Sequence, residues 1–156
     1  MSADASRRVL VTGLSGVGKS SVLAALAERG YRVADTDYDG LSLFDDTGDW
    51  VWNIDRVREL LDGNEEIVIA GTAPNMSSLL PRFDRVILLS APAEVMIERL
   101  ATRTTNPYGS SADQRAEAVA YKQSVEPRLR RIATIEIDTR APLDAVVARI
   151  LDHLRN

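Results

Sequence analysis

Short apolar runs alternate along this chain with longer segments in which apolar residues recur every three or four positions. A continuous apolar run is typical of a strand buried on both faces, and the longer spacing is typical of an amphipathic helix. The pattern predicts strands at residues 8–12, 31–34, 67–70, 85–90 and 134–138. It predicts helices at residues 19–29, 54–61, 92–102, from about 112 to 131 with a bend near Pro127, and 142–154. The polar residues 104–111 predict a loop.

Strands that alternate with helices predict βαβ units. We therefore expect an α/β fold, with a five-stranded parallel sheet covered by helices on both faces. A length of 156 residues suits a single domain over residues 1–156. Ligands of such folds bind beyond the carboxyl ends of the strands, and we expect the site there.

Composition narrows the possible partners. The chain has 19 basic and 23 acidic residues, a net charge of -4, which argues against a nucleic-acid partner. It has no cysteine, so disulfides, thiolate nucleophiles and zinc–thiolate sites are excluded. No apolar run approaches the roughly 18 residues of a membrane span, and residues 1–8 lack the apolar core of a signal peptide. We expect a cytoplasmic protein without a membrane partner, and the oligomeric state stays open.

Residues 13–20 carry the clearest chemical motif. They read Gly-Leu-Ser-Gly-Val-Gly-Lys-Ser and match the phosphate-binding pattern GxxxxGK[ST]. Glycines let main-chain N–H groups point at phosphate oxygens, and the following helix adds the positive end of its dipole. Lys19, one of only two lysines, is expected to reach the β and γ phosphates, and the Ser20 hydroxyl to bind Mg²⁺. The motif predicts ATP and Mg²⁺ as cofactors, with nucleotide contacts from Gly13, Ser15, Gly16, Val17, Gly18, Lys19, Ser20 and Ser21.

Two aspartates directly follow the second predicted strand, in the sequence Asp35-Thr36-Asp37. In an extended segment, residues i and i+2 point to the same side, so both carboxylates could face one ligand. Aspartate also favours solvated turns, which is the alternative interpretation. For the acidic residues that follow, at positions 39, 45, 46 and 49, a solvated surface is the favoured interpretation.

Taken together, the glycine-rich loop, the acidic pair, the glycine after the third strand and the polar loop after the fourth resemble the small P-loop kinases. That group contains shikimate kinase, gluconate kinase and adenylate kinase, and the resemblance covers nearly the whole chain. It implies that Asp35 holds Mg²⁺ through water, and that Asp37 is the catalytic base or orienting residue for the acceptor hydroxyl.

Three arginines carry further roles under this resemblance. Arg99 and Arg103 match the Arg-x-x-x-Arg that opens the lid of adenylate kinase-like proteins. Arg99 would lie against the adenine, Arg103 would reach the transferring phosphate as a catalytic residue, and a short lid would span about 103–112. Arg140 lies where related kinases bind adenine, and would stack on it.

Signatures of other P-loop branches are weak or missing. A Ras-type GTPase needs an Asn-Lys-x-Asp motif, and neither lysine lies in one. A AAA-type ATPase would show an apolar run ending in Asp-Glu, and Ile135-Glu136-Ile137-Asp138 matches that run poorly.

The acceptor of the phosphoryl group stays open. The third strand ends in Ala70-Gly71-Thr72-Ala73 instead of three glycines, and Val125 stands where shikimate kinase carries a substrate-binding arginine, so the sequence disfavours shikimate. Trp50 and Trp52 could stack on an acceptor ring or pack in the core. The leading hypothesis is a Mg²⁺- and ATP-dependent phosphotransferase acting on a small metabolite. The alternatives are a nucleoside monophosphate kinase, and an ATP-binding switch or slow ATPase without an acceptor.

Overall fold

The computed structural model describes residues 7–102 and 111–155. Its strands, in chain order, are β1 (Arg8–Thr12), β2 (Val33–Asp35), β3 (Ser42–Phe44), β4 (Trp50–Trp52), β5 (Ile67–Ala70), β6 (Arg85–Ser90) and β7 (Ile135–Asp138). Five of them form one parallel sheet in the order β2-β5-β1-β6-β7. The predicted α/β fold with a five-stranded parallel sheet is confirmed.

Helices surround this sheet. They are α1 (Lys19–Glu28), α2 (Ile54–Asp62), α3 (Ala93–Thr102), α4 (Ala112–Ser124), α5 (Glu126–Ile132) and α6 (Leu143–Arg155), and a 3₁₀ segment covers Met76–Arg82. The central strand β1 is buried at each of residues 9–12. Since successive side chains of a strand point to opposite faces, both faces of the sheet are covered.

The predicted bent helix over residues 112–131 is instead two helices that meet at Val125. Pro127 occupies the first turn of α5, where its missing N–H costs no helical hydrogen bond. The second helix therefore begins just before the proline.

The β3–β4 hairpin was not predicted. Its two strands have three residues each, too few for a periodic pattern to show. The turn between them stabilises the hairpin, because Asp45 Oδ1 accepts hydrogen bonds from the N–H groups of Thr47 at 2.9 Å and Asp49 at 3.0 Å. The hairpin lies along the chain between Asp37 and α2, in a segment for which the sequence pattern predicted no strand or helix.

Across residues 7–102 and 111–155, no helix has the length and apolar character needed to cross a membrane.

Candidate active site

The glycine-rich loop follows β1 and takes a path that only glycine permits. Gly16 has a φ of 90°, and a Cβ there would lie 2.9 Å from the main-chain oxygen of Met96. Gly13 has a φ of 150°, and its Cβ would lie 2.5 Å from the Leu89 oxygen. Val17 is fully buried, and its main-chain N–H donates to the Leu14 oxygen at 3.4 Å. The backbone itself forms one wall of the site.

Helix α1 begins at this loop with an open N-terminus. Its N-cap residue, Gly18, has a φ of 98°, and no side chain caps the helix. The first N–H groups of a helix have no partner within the helix, and together with the dipole they attract anions. Ser20 and Ser21 are exposed in this first turn, beside Ser15 and Lys19. The start of α1 can therefore take a phosphate.

A cavity of about 490 Å³ lies against the loop and the start of α1. Its lining includes residues 14–22 together with Asp35, Asp37, Arg99 and Thr139. The structure thus brings together the glycine-rich loop, the acidic pair and one of the predicted arginines, at the carboxyl ends of the parallel strands.

The Lys19 ammonium lies at the loop that precedes it. Its Nζ donates hydrogen bonds to the main-chain oxygens of Gly13 at 2.5 Å and Leu14 at 3.1 Å. Ammonium groups donate readily to phosphate oxygens as well. Lys19 is therefore positioned beside the wall where the sequence motif expects the β and γ phosphates.

Thr72, just after β5, fixes the start of the loop, and sequence reasoning gave it no role. Its hydroxyl donates to the Gly13 oxygen at 2.7 Å, accepts from the Gly13 N–H at 3.1 Å, and lies 2.7 Å from the Thr12 hydroxyl. The signal that could have found it is its position, since a polar residue directly after a central buried strand faces the ligand edge.

Asp35 lies at the carboxyl end of β2, opposite Ser20. The Ser20 hydroxyl donates to its Oδ2 at 3.1 Å, and the Asp37 N–H donates to its Oδ1 at 3.0 Å. Burial raises the pKa of Asp35 above its usual 3.8; the Asp37 N–H lowers it, the Asp37 charge raises it again, and the Ser20 hydroxyl and the Lys19 charge lower it least. A hydroxyl and a carboxylate side by side are the hard oxygen ligands that Mg²⁺ takes, so these residues fit a Mg²⁺ site.

Residues 36–38 form a turn rather than the extended segment that the sequence predicted, so the two carboxylates do not point the same way. Asp37 is exposed and points toward the hairpin rather than toward Asp35. Its Oδ1 accepts a hydrogen bond from the indole Nε1 of Trp50 at 2.9 Å. Sequence reasoning left open whether Trp50 and Trp52 pack in the core or face a ligand. Trp52 is 2% exposed and belongs to the core, whereas Trp50 is 41% exposed at the site.

Thr36 lies between the two aspartates and packs against the end of β5. Its side chain is buried, and a Cβ on Gly71 would overlap the Thr36 hydroxyl. The Thr36 N–H donates to the Ala70 oxygen at 2.9 Å, which extends the β2–β5 pairing by one residue. The glycine after β5 is required because β2 and its acidic pair approach there so closely.

Arg99 connects the glycine-rich loop to the segment after β7. Its guanidinium donates to the Gly16 oxygen at 3.3 Å, and to the side-chain and main-chain oxygens of Thr139 at 2.8 and 2.7 Å. Arg140 instead pairs with Asp138 at 2.8 Å, and its hydrogen bonds lower the pKa of that aspartate. The structure brings Arg99 to the cavity and places the Arg140 guanidinium on the Asp138 carboxylate.

Arg103 and most of the predicted lid at about 103–112 lie outside the described residues. Within that range, Ser111 caps α4, because its hydroxyl accepts a hydrogen bond from the Gln114 N–H at 3.1 Å.

Residues 9–120 match a protein family that is described as AAA domain. The chain belongs to this family. The chain is therefore a member of a family with the AAA name although it lacks an apolar run that ends in Asp-Glu.

Curated relatives carry only a general description. A nucleotide-binding protein of Koribacter versatilis is 31% identical over 137 residues, which covers 86% of this chain and 44% of that protein. A nucleotide-binding protein of Sorangium cellulosum is 33% identical over 138 residues, covering 85% of this chain and 39% of the relative. The chain thus spans less than half the length of these relatives.

Solved structures with the same fold include small kinases. A shikimate kinase from Acinetobacter baumannii in complex with shikimate superposes with a TM-score of 0.71 at 21% identity, covering 94% of this chain and 92% of that one. A gluconokinase from Sinorhizobium meliloti superposes with a TM-score of 0.60 at 23% identity, covering 95% and 91%. The predicted resemblance to small P-loop kinases is confirmed, and the chain has a P-loop, nucleotide-binding, kinase-like fold.

Proposed function

We propose that this protein is a Mg²⁺-dependent phosphotransferase that moves the γ-phosphoryl group of ATP to a hydroxyl group of a small metabolite. One observation carries the proposal: a second carboxylate, Asp37, lines the same cavity as the glycine-rich loop and the Ser20–Asp35 pair. Nucleotide binding alone needs the loop and a metal-side carboxylate, whereas phosphoryl transfer to a hydroxyl also needs a group that positions that hydroxyl.

In this proposal each part of the site has one task. The loop N–H groups and Lys19 hold the phosphates, and Arg99 holds the loop against Thr139 on the adenine side. The proposal also includes Arg103 at the transferring phosphate, a lid over about 103–112 and Arg140 at the adenine. It further assumes a single catalytic domain. A Mg²⁺ bound with ATP would be held by Ser20 and Asp35, and would neutralise phosphate charge.

Asp37 then acts on the acceptor. The acceptor oxygen forms a bond to the γ-phosphorus as the bond from that phosphorus to the ADP oxygen breaks, and the hydroxyl proton passes to Asp37. Since Trp50 occupies Oδ1, the second carboxylate oxygen is the one that would receive the proton. Water in the same position would give hydrolysis, which is why closure of a lid belongs to the proposal.

The test is release of ADP with and without a panel of sugars, polyols, nucleosides and nucleoside monophosphates, at several Mg²⁺ concentrations. Stimulation by an acceptor, abolished when Mg²⁺ is removed, supports the proposal. Slow release that no acceptor changes would favour the ATP-binding switch, and stimulation by nucleoside monophosphates alone would favour a nucleoside monophosphate kinase. A cytoplasmic location also remains a proposal.

A further inference from the structure

An exposed aromatic pair lies beside the proposed acceptor carboxylate. Phe44 and Trp50 face each other across the β3–β4 hairpin, with ring centroids 4.9 Å apart and planes tilted by 60°. Phe44 is 68% exposed and Trp50 is 41% exposed, so neither side chain belongs to the core. We call these two residues the aromatic pair.

Hydrogen bonds at its base anchor the hairpin that carries the aromatic pair. Two residues after Trp50, the buried Trp52 exchanges two main-chain hydrogen bonds with the Asn75 side chain, at 3.0 and 2.9 Å. The Asn53 N–H donates to the Leu41 oxygen at 2.7 Å and closes the base of the hairpin. Trp50 therefore reaches Asp37 from a hairpin that is anchored at its base, and its indole N–H can orient the carboxylate.

Charge selects among the acceptors that such a surface could take. Asp35 and Asp37 both line the cavity, and the Asp39 carboxylate accepts a hydrogen bond from the Asp35 N–H at 2.7 Å. The two cavity carboxylates disfavour an anionic acceptor and accept hydrogen bonds from hydroxyl groups. The aromatic faces next to them carry partial negative charge and attract the weakly positive C–H face of a saturated ring.

We propose that the aromatic pair and Asp37 form the acceptor subsite, and that this subsite takes a neutral, hydroxylated ring such as a sugar or a cyclic polyol. The ring lies with one C–H face on Phe44 and Trp50 while one hydroxyl donates to Asp37. Trp50 has a second role as a positioning residue, since its N–H orients the carboxylate that receives the proton. This inference rests on the proposed phosphotransferase function, but binding to the aromatic pair is measurable without turnover.

Tryptophan fluorescence tests binding directly. The chain has two tryptophans, so the Trp52→Phe variant leaves Trp50 as the only one. This variant is titrated, without ATP, with D-glucose, D-ribose and myo-inositol as neutral rings. The comparison ligands are the acyclic polyol D-sorbitol, the anionic rings D-glucuronate and glucose 6-phosphate, and adenosine. We expect saturable changes in Trp50 emission with at least one neutral ring, at least tenfold tighter than with D-sorbitol. Should Trp52→Phe fail to fold, protein-detected NMR of the unmodified protein follows the Trp50 indole N–H instead.

Two variants then separate the two roles. Phe44→Leu keeps the indole N–H of Trp50 and removes one aromatic side chain. The dissociation constant and the KM of the neutral ligand should therefore rise about tenfold, with kcat nearly unchanged. Trp50→Phe keeps an aromatic ring and loses the N–H, so kcat should fall about tenfold with little change in the acceptor KM. Tyr31→Ala, which removes another exposed aromatic ring, is the matched control and should change neither.

The outcomes are distinct from those of the proposed function. Preferred binding of anionic rings, of adenosine or of D-sorbitol overturns the acceptor class, even when ADP release shows that the protein is a kinase. Absence of any titration also overturns it. Saturable binding of a neutral ring without acceptor-stimulated ADP release supports the subsite and contradicts the phosphotransferase.

Discussion

Two groups of carboxylates in this molecule have opposite surroundings. On α5 and β7, Glu126 accepts hydrogen bonds from Lys122 Nζ at 2.8 Å and Arg130 Nη2 at 3.0 Å, and Glu136 accepts one from Arg130 Nε at 2.6 Å. The Arg130 hydrogen bond lowers the pKa of Glu136; burial opposes this shift, and the Ser90 hydroxyl adds to it. This group of residues, which we call the paired network, neutralises its own charge.

The carboxylates of the site are held differently. Asp35 and Asp37 accept hydrogen bonds from a hydroxyl, a main-chain N–H and an indole N–H, which carry no net charge. Burial accordingly raises the pKa of Asp35, in the direction opposite to that of Glu136. The difference is that Lys122 and Arg130 neutralise the carboxylates of the paired network. Those at the cavity are oriented by neutral donors, which suits a cation that arrives with a ligand.

The largest expected effect comes from the cation of the site. Lys19→Ala should reduce kcat by about 10²–10³, because it removes one preorganised charge from the transferring phosphates. Lys19→Arg should also fail, since a planar guanidinium does not replace a compact ammonium. Steady-state kinetics and calorimetric nucleotide binding measure both.

The other lysine provides the control for this comparison. Lys122→Ala removes a cation from the paired network and should lower the melting temperature while leaving kcat in place. Full activity of Lys19→Ala with unchanged nucleotide binding would refute the assignment of Lys19.

Asp37→Asn should slow acceptor-dependent turnover by about 10²-fold, because the amide cannot take the proton of the acceptor hydroxyl. The melting temperature should stay close to that of the unmodified protein, since Asp37 is exposed. Asp46→Asn, at another exposed aspartate of the hairpin turn, is the matched control. If both variants turn over like the unmodified protein, Asp37 is a surface residue.

Glu126→Gln should lower stability and leave nucleotide affinity unchanged. Glu126 is 3% exposed, and its loss leaves Lys122 and Arg130 without a shared anion. Because both cations reach solvent, we expect a loss of about 1–2 kcal/mol, or roughly 3–6 °C in melting temperature. Glu65→Gln, which breaks the exposed pair with Arg7, should change the melting temperature by less. Equal losses in the two variants would contradict a structural role for the paired network.

Asp35→Asn should have a small effect of the opposite sign on stability. It removes a partly buried charge whose pKa is raised by burial, so without Mg²⁺ the melting temperature should rise by about 1–3 °C. The same variant should need more Mg²⁺ for activity. A lower melting temperature, or an unchanged Mg²⁺ dependence, would place Asp35 among the structural carboxylates.

Lowering the pH should change the stability contributions of Glu136 and Asp35 in opposite directions. Above pH 4.5 the unmodified protein should be more stable than Glu136→Gln, and this advantage should shrink as pH falls below 4.5 through the lowered pKa of Glu136. At neutral pH it should be less stable than Asp35→Asn, and this deficit should shrink as pH falls through the raised pKa of Asp35. Thermal melts between pH 7 and pH 3 measure both differences, and differences of the same sign would contradict the comparison.

Much of the parallel sheet and of the nucleotide side could be predicted, because those features are local in sequence. Strands β1, β5 and β6 are continuous apolar runs, and residues 13–20 carry their own spacing. The contacts of Trp50 with Asp37 and of Thr72 with Gly13 join residues 13 and 59 positions apart, and no periodic pattern encodes such contacts. The three-residue strands of the hairpin were likewise below the length at which alternation is visible.

The central claim is that the carboxylates held by neutral donors serve phosphoryl transfer to an acceptor rather than hydrolysis. Phosphorus NMR of the protein with ATP, Mg²⁺ and an acceptor that stimulates ADP release tests this most directly. We predict a new phosphomonoester resonance that grows in step with ADP, and that Asp37→Asn slows by about 10²-fold. Inorganic phosphate as the only product, at the same rate with and without acceptor, would contradict the account.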